Sequence, residues 1–134
     1  MIFDYTVIGD NVNLGSRIEG LTRTYGVDVI VSAATAELLP ESLVMRELDA
    51  VRVKGRREPV QIFELTPPGE LSQRFRAAYA EGLRLYRARR FAAARAEFEA
   101  ARGERLADIP CQIFIKRCRS YELDPPDEEW DTVS

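Results

Sequence analysis

DYTVIGDNVNLGSRIEG, residues Asp4 to Gly20, sets the reading of the first half of the chain. Phe3 to Ile8 is short, β-branched and aromatic, which suits an extended strand. Gly9-Asp10 ends that run, and Asp10 suits the N-cap of a helix from about Asn11 to Tyr25, with Gly26 where a helix C-terminal glycine belongs. Leu14, Ile18, Leu21 and Tyr25 recur at helical spacing and form an apolar stripe for packing on a sheet. One residue earlier at each step, Asn13, Arg17, Gly20 and Thr24 form a second stripe about 100° away. Asn13 and Arg17 therefore share a face at the margin of the buried one, and Asp4 reads as a strand-edge residue.

Outward from this stretch, Val27 to Ser32 reads as a second strand and AATAELLP as a short helix ended by Pro40. SLVMRELDAVRVKG reads as one long bent strand or two pieces, and Glu58 to Leu65 as its hairpin partner through Gly55-Arg56-Arg57. Residues 1–66 thus form an α+β unit. Pro67-Pro68-Gly69 marks a break, and residues 67–134 are rich in Ala, Arg, Glu and Leu, with helices expected over about 70–88, 91–103 and 109–122. The tail is acidic and proline-rich, and Trp130 is a candidate for docking on the helices.

A chain of 134 residues with 46% apolar and 31% charged residues belongs among water-soluble globular proteins. Its net charge of -3 gives no general attraction to nucleic acid, and no run approaches the roughly 18 apolar residues of a membrane helix. The arginine-rich stretch Arg74 to Arg105 is interleaved with glutamates and reads as a solvated helix face. No export leader is visible at the N-terminus, so a cytoplasmic location is expected. Cys111 and Cys118, seven apart in a helix-like run, are expected as buried thiols. With no histidine in the sequence, imidazole bases and zinc-histidine sites are excluded from the chain's own chemistry.

The order Asp-Tyr-Thr-Val-Ile-Gly-Asp-Asn-Val-Asn-Leu-Gly-Ser-Arg-Ile-Glu resembles a stretch of the class III adenylate and guanylate cyclases, in which a strand ends in a Gly-(Asp/Asn) turn and the next helix presents Asn-x-x-x-Arg. Those residues are Asn13 and Arg17 here. VKGRREPVQIFEL, Val53 to Leu65, is similar to the end of the same catalytic domain, where a Lys-Gly turn joins the last two strands. The resemblance implies a partial cyclase-type sheet, of ferredoxin-like derivation, with its helices. It also implies roles: Arg17 and Asn13 as transition-state donors, Lys54 on the β- and γ-phosphates, and Thr6 as the purine reader, its hydroxyl favouring ATP over GTP. The family's two Mg²⁺ or Mn²⁺ ions are held by aspartates on strands that precede this region, so no metal ligand is expected in this chain. Asp4 and Asp10 do not match those positions.

Residues 67–134 resemble a tetratricopeptide-like extension of the kind found on some bacterial cyclases, with Gly82, Ala94, Phe98 and Ala101 at that repeat's packing positions and Ala78, beside Tyr79, where an aromatic is expected. The first reading is accordingly the C-terminal part of a bacterial class III adenylate cyclase, supplying one side of a site shared with a second cyclase domain, inactive alone, and prone to dimerise or exchange strands. Whether Met1 is a natural start stays open. The alternative is a non-catalytic interaction or regulatory module in which the helical extension binds a protein partner. Neither reading calls for nucleic acid or membrane contact.

Overall fold

A computed structural model of the chain describes residues 20–52 and 58–133. The chain divides into two compact units, Met1–Glu70 with Val133–Ser134, and Leu71–Thr132. Small antiparallel strands with helices in the first and helices alone in the second make the whole an α+β protein.

In the first unit, residues 20–25 are helical (α1) and end in the manner their sequence anticipates. Gly26 takes a φ of 65°, a left-handed conformation glycine adopts without a Cβ clash, and the Val27 N–H then reaches back to the Thr22 carbonyl at 3.1 Å. Because Val27 is used in closing the helix, the strand expected from that residue begins later: β1 is Ile30–Ser32. Ser32 ends β1 and caps the short α2, Ala33–Ala36, its hydroxyl oxygen accepting from the Thr35 N–H at 3.3 Å. β2, Val44–Val51, and β3, Val60–Thr66, join β1 so that the described residues form a three-stranded antiparallel sheet in the order β1-β3-β2. The described part of SLVMRELDAVRVKG holds one strand, with a register shift between Glu47 and Asp49. Ile30, Val31, Leu48 and Ile62 are buried at its centre. The expected strand Phe3 to Ile8 and the Gly55-Arg56-Arg57 turn lie outside the described residues.

The second unit contains three helices: α3, Gln73–Arg87; α4, Phe91–Glu104; and α5, Ile109–Leu123. Ser72 and Asp108 cap α3 and α5, accepting from the Phe75 and Cys111 amides at 3.0 Å each, and Pro110 lies in the first turn of α5 where its missing N–H costs nothing. Tyr79, Phe98 and Phe114 form the centre of the packing: Tyr79 meets Phe98 edge-on at 5.2 Å between centroids, and Phe98 stacks on Phe114 at 4.8 Å. The Phe98 ring is admitted by Gly82 on α3, where an added Cβ would sit 2.8 Å from two ring carbons. Ala94 and Ala101, one turn either side of Phe98 on α4, are fully buried and keep the helices close. Tyr79, rather than the neighbouring Ala78, carries the aromatic contact on α3.

Beyond α5 the chain turns back, and Trp130 packs against Tyr86, Phe91 and Tyr121 at centroid distances of 5.3, 5.6 and 5.3 Å. Arg89 holds this segment: it donates to the Asp127 carbonyl at 2.9 Å and to the Pro126 carbonyl, and its guanidinium lies 5.6 Å from the indole centroid. Cys111 and Cys118 are buried free thiols. Among the described residues no helix is long and apolar enough to cross a membrane.

Two glycines test this packing with opposite signs. Gly82→Ala must displace a fully enclosed ring, costing about 1–3 kcal/mol, more than the roughly 1 kcal/mol that alanine gains in helix propensity, so its melting temperature should fall. Gly103→Ala, with nothing within 4 Å of its new Cβ, keeps the propensity gain and should melt at or above the parent. Equal shifts in thermal denaturation would contradict the close approach at Gly82. The thiols give a second measure. Burial pushes Cys118 from the ordinary value of 9.0 up to about 12, so its neutral form favours the fold. Stability from this source is intact below about 9 and is lost as pH rises toward about 12, because the unfolded chain ionises first. Ellman's reagent at pH 8 should find neither thiol rapidly in the native chain and both after denaturation.

Candidate functional site

The candidate residues Thr6, Asn13, Arg17 and Lys54 all lie outside the described residues, so the geometry available is that of the scaffold on their flanks. On one flank stands α1. Leu21 and Tyr25, the last two members of the apolar stripe, are 4% and 2% exposed. Gly20 and Thr24, the last two members of the stripe to which Asn13 and Arg17 belong by spacing, are half-buried and exposed respectively, with the Thr24 hydroxyl donating to the Gly20 carbonyl at 3.4 Å. The two stripes thus differ in burial as the helical period requires.

Tyr25 fixes this helix end to the sheet. Its hydroxyl donates to Oδ2 of Asp49 on β2 at 2.5 Å, while Oδ1 of Asp49 accepts from the Ala50 amide at 2.8 Å. Asp49 is 2% exposed, and a carboxylate so enclosed persists only with donors on its oxygens. Both of its oxygens are engaged by protein donors. Among the described residues no group of three or more His, Cys, Asp or Glu side chains is placed to hold a metal ion.

The other flank is the β2–β3 pair, which brackets the segment containing Lys54. Its register runs from Val44 opposite Thr66 to Val51 opposite Val60. Arg46 and Glu64 face each other in this register and form a buried ion pair, with Nε donating to Oε1 at 2.9 Å and Nη2 donating to the same oxygen. Their side chains are 2% and 8% exposed, so the pair is desolvated and each charge depends on the other. Neither residue had been singled out in the sequence. The available signal was the alternation of β3, which places Glu64 in the inward phase with Ile62 and Thr66.

What this scaffold offers is orientation. One buried polar contact ties the end of α1 to β2 and another ties β2 to β3, and the candidate donors fall on segments that adjoin these elements in the sequence. Comparison with known proteins adds the chemical direction. No family model matches the chain, and no solved structure matches it. Among curated proteins, an adenylate cyclase of Anabaena cylindrica is 46% identical over 65 residues, covering 46% of this chain and 13% of that protein. Adenylate cyclase 1 of Rhizobium meliloti is 36% identical over 61 residues, covering 46% of this chain and 9% of its own length. The terminal-differentiation specific adenylate cyclase of Dictyostelium discoideum is 33% identical over 122 residues, covering 84% of this chain and 6% of its own length. A match of that breadth necessarily extends into the helical unit. The chain spans from 6% to 13% of the length of these relatives. It contains a region related to adenylate cyclases.

Proposed function

We propose that this chain is the C-terminal part of a bacterial class III adenylate cyclase, contributing to the conversion of ATP to cyclic AMP and pyrophosphate in a site completed by a second cyclase domain. The observation that carries this reading is the 46% identity to a cyclase over 65 residues. The Asn-x-x-x-Arg spacing at Asn13 and Arg17 supports it.

In this reading the 3'-hydroxyl oxygen of ATP bonds to the α-phosphorus while the bond to the pyrophosphate oxygen breaks, and negative charge grows on the phosphoryl and leaving oxygens. Arg17 presents a planar fork of donors to those oxygens, and such charge-assisted bonds strengthen as the charge develops. Asn13, one helical turn earlier, orients the ribose through its amide. Lys54 meets the β- and γ-phosphates as a compact charge. The Thr6 hydroxyl accepts from the adenine amino group, which favours ATP over GTP. Mg²⁺ or Mn²⁺ in the complete enzyme would neutralise the triphosphate and activate the hydroxyl, held by aspartates outside this chain's sequence. The helical unit is the tetratricopeptide-like extension of such an enzyme.

The 134-residue polypeptide, assayed alone with ATP and Mn²⁺, should make no cyclic AMP. Mixed with a full-length adenylate cyclase that keeps its metal aspartates but has its own Asn and Arg donors replaced by alanine, it should restore turnover. Arg17→Ala should reduce the restored rate by about 100-fold or more, as loss of a transition-state donor does. Turnover by the polypeptide alone, absence of rescue at every mixing ratio, or rescue indifferent to Arg17→Ala would each overturn the proposal.

A further inference from the structure

The helical unit separates its charges along the sequence. Residues 71–121 hold twelve arginines and lysines against five acidic residues, whereas residues 122–134 hold six acidic residues and no basic one. Some of the positive charge is matched locally. Arg84 pairs with Glu81 at 2.5 Å, and Arg95 donates through Nε to Glu122 at 2.6 Å. These partners hold the Glu81 and Glu122 carboxyls below the usual range.

A different arrangement occurs between α4 and α5. A cleft of about 250 Å³ is lined by Glu99, Arg102, Gln112, Ile115, Lys116 and Arg119. Its one carboxylate, Glu99, is already flanked by Arg95 at 3.4 Å and Arg119 at 3.5 Å. Arg102 and Lys116 are exposed, and among the described residues neither has a carboxylate partner. Ile115, 7% exposed, forms an apolar floor. Ile109, one turn before Gln112 on the same face of α5, is 40% exposed, and Leu106 in the preceding connection is 73% exposed. A basic cleft with an apolar margin is thus left uncovered.

The chain's own acidic tail is held away from it. Trp130 and Arg89 fix the tail beside Phe91, at the start of α4, whereas Arg102 lies eleven residues further along that helix, about 16 Å away at 1.5 Å per residue. A nucleic-acid strand is a poorer complement: Glu99 stands in the wall, the cations are few, and the lining contains no aromatic ring on which a base could stack.

We propose that the cleft between α4 and α5 binds an acidic polypeptide segment of a partner protein, its carboxylates meeting Arg102, Lys116 and Arg119 and an adjoining apolar side chain meeting Ile109 and Leu106. The site lies wholly in the helical unit and does not rest on the cyclase reading.

A fluorescein-labelled peptide of alternating glutamate and leucine, titrated by anisotropy against the full 134-residue chain, is the probe. Binding should have a dissociation constant on the order of 10 µM at low salt and weaken as ionic strength rises. The double variant Arg102→Glu, Lys116→Glu should weaken it by about tenfold or more, with unchanged helical circular dichroism, since neither side chain holds a partner in place. Gln112→Lys adds a cation without removing a charge pair and should tighten binding by about threefold. The variant Arg74→Glu, Arg76→Glu, with the same change in net charge on the exposed face of α3, should bind as the parent does. No saturable binding below about 1 mM, equal loss in both charge-reversed variants, or tighter binding of a single-stranded oligonucleotide of similar length would overturn the proposal. Concentration-dependent self-association in sedimentation that the Arg102→Glu, Lys116→Glu change abolishes would assign the cleft to a second copy and likewise overturn it.

Discussion

The hydrogen bond from Tyr25 to Asp49 is the joint through which α1 meets its sheet, and it is polar at both ends yet enclosed. The three strands among the described residues offer a small apolar area, so contacts of this kind carry more of the definition of the geometry there than they would in a larger core. Burying Asp49 is costly unless both oxygens are met, and Tyr25 and the Ala50 amide meet one each. The consequence is directional: an apolar contact at Tyr25 would tolerate rotation of the helix end, whereas a short hydrogen bond restricts where the phenol can stand.

The same principle sets the strand register. Sliding β2 by one residue against β3 would carry Arg46 away from Glu64 and leave two desolvated charges without each other, a loss of about 3–5 kcal/mol, as for any broken buried pair. β2 is buried at four consecutive positions, Leu48 to Val51, so its second half does not follow an inward–outward alternation, and the irregularity between Glu47 and Asp49 lies where that run begins. In the helical unit the restriction is steric rather than polar. Gly82 permits Phe98 to approach α3, and Ala94 and Ala101 keep the flanks of that ring thin enough for Tyr79 and Phe114 to reach it.

Much of this was legible in the sequence because it depends on period and punctuation. Gly26 announced the end of α1, Pro67-Pro68-Gly69 the change in composition, and the spacing of Ala94, Phe98 and Ala101 the buried edge of α4. Trp130 reads as a docking residue from its size, but its seat beside Arg89 does not. Arg89 adopts a φ of 64° and reaches carbonyls 37 and 38 residues away, a relation no local pattern encodes. Arg46 and Asp49 were hidden for a related reason: a charged residue in a strand ordinarily faces water, and the partners that make them exceptions, Glu64 and Tyr25, are distant in sequence; only Glu64 carried a local hint, in the alternation of β3. The candidate donors Thr6, Asn13, Arg17 and Lys54 came from motif spacing, and they fall outside the described residues.

For a site of the proposed kind, the requirement on the scaffold is strict. Donors that stabilise charge in a transition state act only when held within about 0.5 Å of their working positions by surroundings that do not yield. The described flanks have that character. α1 is tied to β2 at Tyr25, and β2 is locked to β3 at Arg46, so displacement of the helix end relative to the hairpin would have to break a hydrogen bond to a buried carboxylate or a buried ion pair. On the proposed reading, the Asn13–Arg17 face and the Lys54 segment adjoin two elements that are mechanically one. On that reading, substitutions at Tyr25 or Arg46, which are not among the candidate donors, would act on catalysis through the position of the elements they hold.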